Sequence, residues 1–550
     1  MRIREPHASA AIRILIVLLL QIALASTLHA EIAFGCGSLG AGSNDYVAPD
    51  AAGRRADVLK QTMGGRALRV GCASVKYIDS TIGDPSAEIA NSDKVVLAAA
   101  RGRFATMYLV ECYYQPGDGR FDLTPDRYDW YGVGRRIANR YRPGSAWLAS
   151  QGITDWGIEV YEAFNEPNVP CYGQFVDTAI YRKALRDFAR GIHSVSPSLK
   201  AIPGATYGDY LKAIAGLLNS DTLNGVDLHL YASKIGYQGA YTAHGQGTFD
   251  WAKGVFGITA DIDLYVSETN FWKSDTTQTQ DDAARDALTT WWACIGVTGT
   301  SGQPKCRMTL TWNPWNLYDP SHTSGWDWME EVCLPMCDGS RDPWKGNERG
   351  RVFQMMLWLT KGMDVVSSDI KMDKPGGCAG ETVCAGGGRR LWVWHNRADH
   401  TNHAGTTYTV TGIPSGSTKI EVFRYNSWTQ TAAGDTGTPL PYRTVAVSGR
   451  TSVTIDNLPT EETLMFLASS GTSSARSVYD PSQKIPGRAF RMRKPETMEV
   501  LSLDGRVIAR AVPNHSRLTE GNPALPAPGA YLERRNDTVS SSPRVIIIDR

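Results

Sequence analysis

The chain has 550 residues, 42% hydrophobic and 21% charged, which is enough apolar material for a large packed core and excludes global disorder. Lys and Arg total 57 against 56 Asp and Glu, so no charge excess points to nucleic acid or an anionic membrane. Sixteen Trp and 23 Tyr against 13 Phe make a polar-tipped aromatic set, suited to sugar faces and interfaces as well as to cores.

Residues 1–30 carry Arg2, Arg4 and Arg13, then an apolar run from Ile14 to Ala25 broken once by Gln21, then small residues at Ala23, Ala25 and Ala30. A basic start, a short apolar stretch and a small-residue exit predict a secretory signal peptide. The run is shorter than the ~20 apolar residues of a membrane-spanning helix. Cys36 lies too far beyond it for a lipid attachment site. The mature chain is therefore expected outside the cell or on its outer surface. All ten Cys follow this segment, and an even count in an exported chain predicts disulfides, with Cys378 and Cys384 placed to close a small loop. Cys333-x3-Cys337 would be half a zinc site, but no second tight pair completes it; His400 and His403 lie more than sixty residues on. No metal or organic cofactor is expected.

From residue 31 to about 363, short β-branched runs alternate with longer amphipathic stretches. Strands are predicted at 32–35, 68–72, 106–112, 157–165, 200–205, 226–231, 264–269 and 308–312. Helices are predicted at 126–141, 178–194 and 280–295. Eight strands with crossover helices predict an α/β fold, a (β/α)8 TIM barrel. Gly35-x-Gly37-x-x-Gly40 follows the first strand, but no helix opens directly after it, so it reads as a loop rather than a dinucleotide cradle. Beyond 364 alternating β patterns take over, at 391–395, 408–410, 420–423, 444–447 and 464–467, predicting a β-sandwich over 364–468. A Ser/Gly/Thr-rich linker at 469–482 leads to a small C-terminal β module, 483–550, with strands at 498–503, 506–511 and 545–548.

The sharpest string is Glu159-Val160-Tyr161-Glu162-Ala163-Phe164-Asn165-Glu166-Pro167-Asn168. Pro167 cannot continue a ladder, so Asn165 and Glu166 fall at the C-terminal end of the fourth strand, the end on which barrel active sites are built. Leu264-Tyr265-Val266-Ser267-Glu268-Thr269-Asn270 also ends a β run with a carboxylate. The 102 residues between Glu166 and Glu268 equal three βα units of about 34, which puts them on strands four and seven, facing across the mouth. Two facing carboxyl groups are what glycosidic bond cleavage requires: one protonates the leaving oxygen while the other attacks carbon or activates water. Alternation puts His229 and Tyr231 on one face of strand six, where they would orient or hydrogen-bond the nucleophile. Arg69 on strand two is placed to hold Glu268 ionised. Trp312, ending strand eight, would floor the central sugar subsite. Trp272, Trp315, Trp326 and Trp328 lie in nearby loops.

Together these residues resemble the large clan of retaining (β/α)8 glycoside hydrolases containing families 5, 30 and 39. The resemblance covers about 31–469 and implies that Asn165 contacts the sugar 2-hydroxyl, Glu166 is the acid/base and Glu268 the nucleophile. Arg69, His229, Tyr231 and Trp312 match residues that recur in family 5-like members. The Asn-Glu-Pro-Asn string and the 181–197 segment are closer in texture to family 39. The third strand ends in Val110-Glu111-Cys112-Tyr113, without the His of family 5. The tail, from Met498-Glu499-Val500 through Pro528-Gly529-Ala530-Tyr531-Leu532 to 544–548, is similar to type IX secretion sorting domains and implies the secretion machinery as a partner. Such tails on fibre-degrading enzymes imply a plant cell-wall polysaccharide as substrate (xylan, glucan or related hemicellulose), acted on by a monomer. An α-L-arabinofuranosidase on the same fold and a non-catalytic carbohydrate-binding adhesin are the alternatives.

Overall fold

A computed structural model describes residues 31–36, 60, 64–74, 86–111, 128–167, 177–233, 245–272, 280–311, 348–370, 378–397, 405–429, 438–460 and 462–470, together with four C-terminal strands. All eight predicted barrel strands form: β1 (Phe34–Cys36), β2 (Ala67–Ser74), β3 (Ala105–Glu111), β4 (Val160–Ala163), β5 (Lys200–Pro203), β6 (Gly225–Ser233), β7 (Asp263–Trp272) and β8 (Cys306–Thr311). They make one sheet in the order β5-β4-β3-β2-β1-β8-β7-β6, and every pairing in it is parallel. Connecting helices are α1 (Ser86–Gly102), α2 (Trp130–Tyr141), α3 (Ala146–Ser150), α4 (Thr178–Val195), α5 (Gly208–Asn219), α6 (Gln246–Phe256), α7 (Gln280–Ile295) and α8 (Glu348–Leu359). Side-chain caps start three of them: Asp129 accepts from Gly132 N, Ser145 from Leu148 N and Asp177 from Ala179 N. The fold is a TIM barrel followed by an antiparallel β domain.

The seam between β5 and β6 has no backbone ladder; one backbone bond and two side chains close it. Below β6, Asn224 N–H donates to Ala201 O and Asn224 Oδ1 accepts from Ala201 N, both at 2.9 Å. Above β5, the Tyr207 hydroxyl accepts from His229 N (2.9 Å) and donates to His229 O (2.7 Å), standing in for the missing strand neighbour. Buried backbone groups that would otherwise lose a partner are thereby satisfied.

The barrel floor is apolar. Ala67, Met107, Ile202, Tyr265, Met308 and Leu310 pack together inside it. Side chains two residues further along a strand point the same way, so Arg69 follows Ala67 and Glu162 follows Val160. A charged layer therefore rests on an apolar plug, at the end of the barrel where the strands finish.

Past the barrel, six strands form one antiparallel sheet in the order β16-β13-β18-β11-β10-β9. They are β9 (Asp364–Ser368), β10 (Cys378–Gly386), β11 (Arg389–Arg397), β13 (Ser417–Phe423), β16 (Arg443–Ala446) and β18 (Thr463–Ser470). A second layer pairs β12 (Thr406–Thr411) with β17 (Ser452–Leu458), and β14 (Trp428–Thr429) pairs with β15 (Thr438–Pro439). Trp392, Val410, Ile420, Ile455 and Phe466 fill the space between the layers. One larger core runs on from the barrel into this domain, through Phe353, Leu391, Phe423, Trp428 and Leu467.

The predicted disulfide between Cys378 and Cys384 is overturned. Both residues lie in the single strand β10, and Cys384 is a buried thiol facing Leu391 across the ladder. Six steps of extended chain separate them by about 20 Å, against a limit of about 7 Å between the Cα atoms of a bridge. Cys294 and Cys306 are also thiols. The described residues of the C-terminal unit, 477–550, are four strands, Met498–Leu501, Val507–Ala511, Gly529–Arg535 and Arg544–Ile548, which form an antiparallel sheet in the order β20-β19-β21-β22. Its third strand in chain order was not among those predicted. Among the described residues no helix is long and apolar enough to cross a membrane.

Candidate active site

Glu166 owes its position to a contorted turn. The ladder of β4 ends at Ala163, earlier than the sequence suggests, because Phe164 (φ +70°) and Glu166 (φ +44°) both adopt left-handed backbone conformations. Such conformations cost a non-glycine residue of order 1–3 kcal/mol each and persist only where the surroundings enforce them. Here Phe164 is driven into a buried aromatic cluster, edge-on to Trp130 of α2 at 4.6 Å and to Tyr181 of α4 at 5.9 Å. On the other side, Gly204 N donates to Ala163 O at 2.7 Å. A Cβ on Gly204 would lie 2.1 Å from Phe164 O, so only glycine admits the turn.

Glu268 owes its position to a bulge. Between Asp227 and His229, β6 takes two steps while β7 takes three, from Tyr265 to Glu268. Against β8 the same stretch again carries one residue too many, with Val266 opposite Thr309 and Thr269 opposite Thr311. Strict alternation would point Ser267 and Glu268 to opposite faces. The extra residue lets both engage groups inside the barrel.

Arg69 organises the layer. Its Nη1 donates to Glu268 Oε1 (2.7 Å), its Nε to Glu162 Oε2 (2.7 Å) and its Nη2 to Asn165 Oδ1 (2.8 Å) and Glu162 Oε1. A single planar guanidinium thus ties β2 to both carboxylate-bearing strands, which a lysine ammonium could not do. His229 stands between the two candidate catalytic groups. Its Nδ1 is 2.6 Å from Glu166 Oε1 and 3.4 Å from Glu268 Oε2. Its Nε2 meets Ser267 Oγ at 3.1 Å, and Ser267 donates from Oγ to Asp227 Oδ2 (2.5 Å) and from N to Asp227 Oδ1 (2.9 Å).

Burial pushes the Glu162 carboxyl up to about 8 in spite of the Arg69 guanidinium, which pulls it down. Burial also raises Asp227, against the pull of His229 and Arg69. At His229 burial works against the imidazolium, but Glu268, Glu166 and Asp227 outweigh it and raise the pKa. Donor atoms of Glu166, His229 and Glu268 all lie within 4.8 Å of one another. That spacing would suit a metal ion by distance alone. The Arg69 guanidinium, already bonded to Glu268 Oε1, supplies a fixed positive charge beside the trio that disfavours a second cation, so the donor set fits proton and carbon chemistry better.

Of the residues singled out in the sequence, Arg69, Asn165, Glu166, His229 and Glu268 converge here. Tyr231 and Trp272 belong to β6 and β7, but their side chains are outside the described residues, as are Trp312, Trp315, Trp326 and Trp328 altogether. Glu162, Tyr207, Asp227 and Ser267 were missed. Glu162 and Asp227 carried a readable signal: an acid in the middle of a β run, in step with Glu166 or His229. Ser267 and Tyr207 carried none, because their roles come from the bulge and the seam.

No protein-family model matches the chain, and no curated protein matches it. Among solved structures it is similar to a glucosidase from Croceicoccus marinus, with 12% identity over 80% of this chain and 96% of that one and a TM-score of 0.48. It is also similar to a GH30 endoxylanase from Clostridium papyrosolvens, with 13% identity, 80% and 98% coverage and a TM-score of 0.46. For a GH39 enzyme from Xanthomonas axonopodis pv. citri the values are 14%, 80%, 94% and 0.45.

Proposed function

We propose that this chain is an exported retaining glycoside hydrolase that cleaves β-glycosidic bonds of plant cell-wall polysaccharides, xylan, glucan or related hemicellulose, by double displacement. The observation that carries the reading is the approach of Glu166 and Glu268, whose carboxyl oxygens come within 4.8 Å at the mouth of the barrel. Retaining enzymes hold their carboxyl groups about 5–5.5 Å apart, whereas inverting enzymes leave about 6.5–9.5 Å for a water.

The surroundings divide the roles. The Glu268 side chain is 6% exposed and oriented by Arg69, a setting that suits the nucleophile. The Glu166 side chain is 21% exposed, open to the leaving group and to incoming water. In the first step a Glu268 oxygen bonds to the anomeric carbon, the glycosidic C–O bond breaks, and the proton on Glu166 passes to the departing oxygen. In the second, Glu166 takes a proton from water, the water oxygen bonds to the same carbon, and the ester to Glu268 breaks. Asn165, held through its Oδ1 by Arg69, is assigned to the sugar 2-hydroxyl, and Tyr231, Trp272 and Trp312 to the sugar faces and edges around it.

Glu268→Gln is expected to abolish turnover and Glu166→Gln to lower it about 10²–10⁴-fold. A 2-fluoro aryl glycoside should leave its sugar on Glu268, located by peptide mass spectrometry; a label on any other carboxylate overturns the assignment. Product analysis on xylan, glucan, mannan and arabinan side by side tests the substrate. Release confined to arabinan would replace the β-glycosidase reading by an arabinofuranosidase, and binding without release from any of them would leave an adhesin. The N-terminal sequence of the mature protein, expected to begin near Glu31, tests export, and loss of surface delivery on deleting 483–550 tests the sorting tail.

A further inference from the structure

Three of the buried polar groups in the barrel have no part in the two-step chemistry: Asp227, Ser267 and the Nε2 side of His229. They form a chain that ends on Glu166. Hydrogen-bond polarity along it is determined by counting protons. With Asp227 ionised, its carboxylate can only accept, so the one hydroxyl hydrogen of Ser267 goes to Asp227 Oδ2 at 2.5 Å. The Ser267 oxygen must therefore accept at its contact with His229 Nε2, 3.1 Å away, which makes Nε2 an N–H. Asp227 is fixed in turn by the Ser267 backbone N–H on its other oxygen, at 2.9 Å. With Nε2 protonated, a proton on Nδ1 completes an imidazolium whose second N–H points between Glu166 and Glu268.

We infer that Asp227, acting through Ser267, is a positioning residue that fixes the polarity of His229, so that one imidazolium N–H serves whichever catalytic carboxylate is charged. This rests on the hydrolase reading above. Before the first step the charge is on Glu268 and the proton on Glu166. Once the ester to Glu268 has formed and that proton has left with the alcohol, the charge is on Glu166. His229 Nδ1 lies within reach of both, so negative charge passes from one side of the imidazolium to the other without leaving it. No proton moves along the chain itself; it holds orientation and charge.

The groups facing His229 are consistent with this part. Glu162 and Glu166 approach from β4 and its turn, Glu268 and Ser267 from β7, and Asp227 from its own strand; Arg69 from β2 is held by Glu162 and Glu268. Tyr207 pins the His229 backbone, so the ring pivots on a fixed point.

The test is a ¹⁵N-histidine NMR titration of the full chain, with His229 assigned by the signal lost in His229→Asn. In the wild type the His229 ring nitrogens should both stay protonated to a pH above the ordinary ~6.5. In Asp227→Asn the side-chain amide can donate to Ser267, which reverses the chain and turns Nε2 into an acceptor. The His229 titration should then fall by about one unit or more, and the alkaline limb of kcat/KM should move down with it while KM changes little. Ser267→Ala deletes one atom, keeps the backbone bond to Asp227 and should show a smaller shift of the same sign. An unmoved His229 titration in both variants overturns the inference. A wild type and variants that titrate as expected, in a protein that cleaves no glycoside, uphold the chain and overturn the hydrolase reading instead.

Discussion

Arg69 and Glu162 show how a single buried pair sets the behaviour of the whole cavity. Both are sealed from water, yet the guanidinium spends only part of its hydrogen-bonding capacity on Glu162 and the rest on Glu268 and Asn165. Removing Arg69 would take the shared cation from Glu162 and Glu268 together, at about 3–5 kcal/mol. The pH dependence follows from the direction of the shifts. Glu162 and His229 both hold their protons more tightly folded than unfolded. Their contribution to stability is therefore complete below the unfolded values and is lost as pH rises through the folded ones, for Glu162 from the ordinary carboxyl range up to about 8. The melting temperature of the wild type should fall between pH 5 and 9 relative to Glu162→Gln, which has no proton to lose there. Parallel melting curves across that range would contradict it.

Elements matter here chiefly where they depart from regularity. The catalytic end of β4 is not a strand end in the ordinary sense. It is a turn with two left-handed residues, anchored by Phe164 among Trp130 and Tyr181 and admitted by the missing side chain of Gly204. Gly204→Ala would press a methyl group into Phe164 O and displace Asn165 and Glu166 together. Turnover is expected to fall by about 10²-fold, with the melting temperature lowered as well; kcat on an aryl glycoside, compared with that of Gly204→Ser, measures it. Both variants should be impaired, since both carry the Cβ. Similarly, β7 needs its extra residue for Ser267 and Glu268 to share the interior. A second feature of β2 belongs to the same class: Gly71, at φ +144°, sits at a register shift opposite β3, two residues past Arg69, where a Cβ would meet Leu109 O at 2.2 Å.

At the scale of the molecule, the barrel and the antiparallel domain are joined through the interior. Thr289 Oγ1 of α7 meets Thr463 Oγ1 of β18 at 2.8 Å, Arg389 Nη2 of β11 donates to Leu359 O of α8 at 3.1 Å, and Trp428 Nε1 of the β domain donates to Gln354 Oε1 of α8 at 2.9 Å. With a continuous apolar core around these bonds, residues 31–476 are expected to unfold in one cooperative calorimetric transition. A barrel truncated after Met363 is expected to be insoluble. Limited proteolysis between 470 and 480 should release 477–550, a separate compact unit, without moving that transition. Two resolved transitions before the cut would show the barrel and β domain to be independent.

The alternation of β-branched runs with amphipathic stretches determined the barrel, because a strand buried on both faces and a helix buried on one leave different periods in the chain. Spacing alone put Glu166 and Glu268 on strands four and seven, since a closed barrel converts three repeats into a position across the mouth. Arg69, Asn165 and His229 were equally legible, each being a polar residue within or at the end of a β run. What the sequence could not carry was anything that depends on irregular geometry or on partners distant along the chain. Glu162 and Asp227 were visible only as acids out of place. Ser267 became a contact of Asp227 through a bulge with no residue signature of its own, and Tyr207 became a substitute strand neighbour only because β5 and β6 meet without a ladder. Likewise Cys378 and Cys384 invited a bridge on the strength of an intervening glycine and a short interval, until pairing with β11 stretched that interval straight. Local period survives in one dimension, whereas side-chain convergence is a property of how strands are registered against each other, and that was decided only on folding.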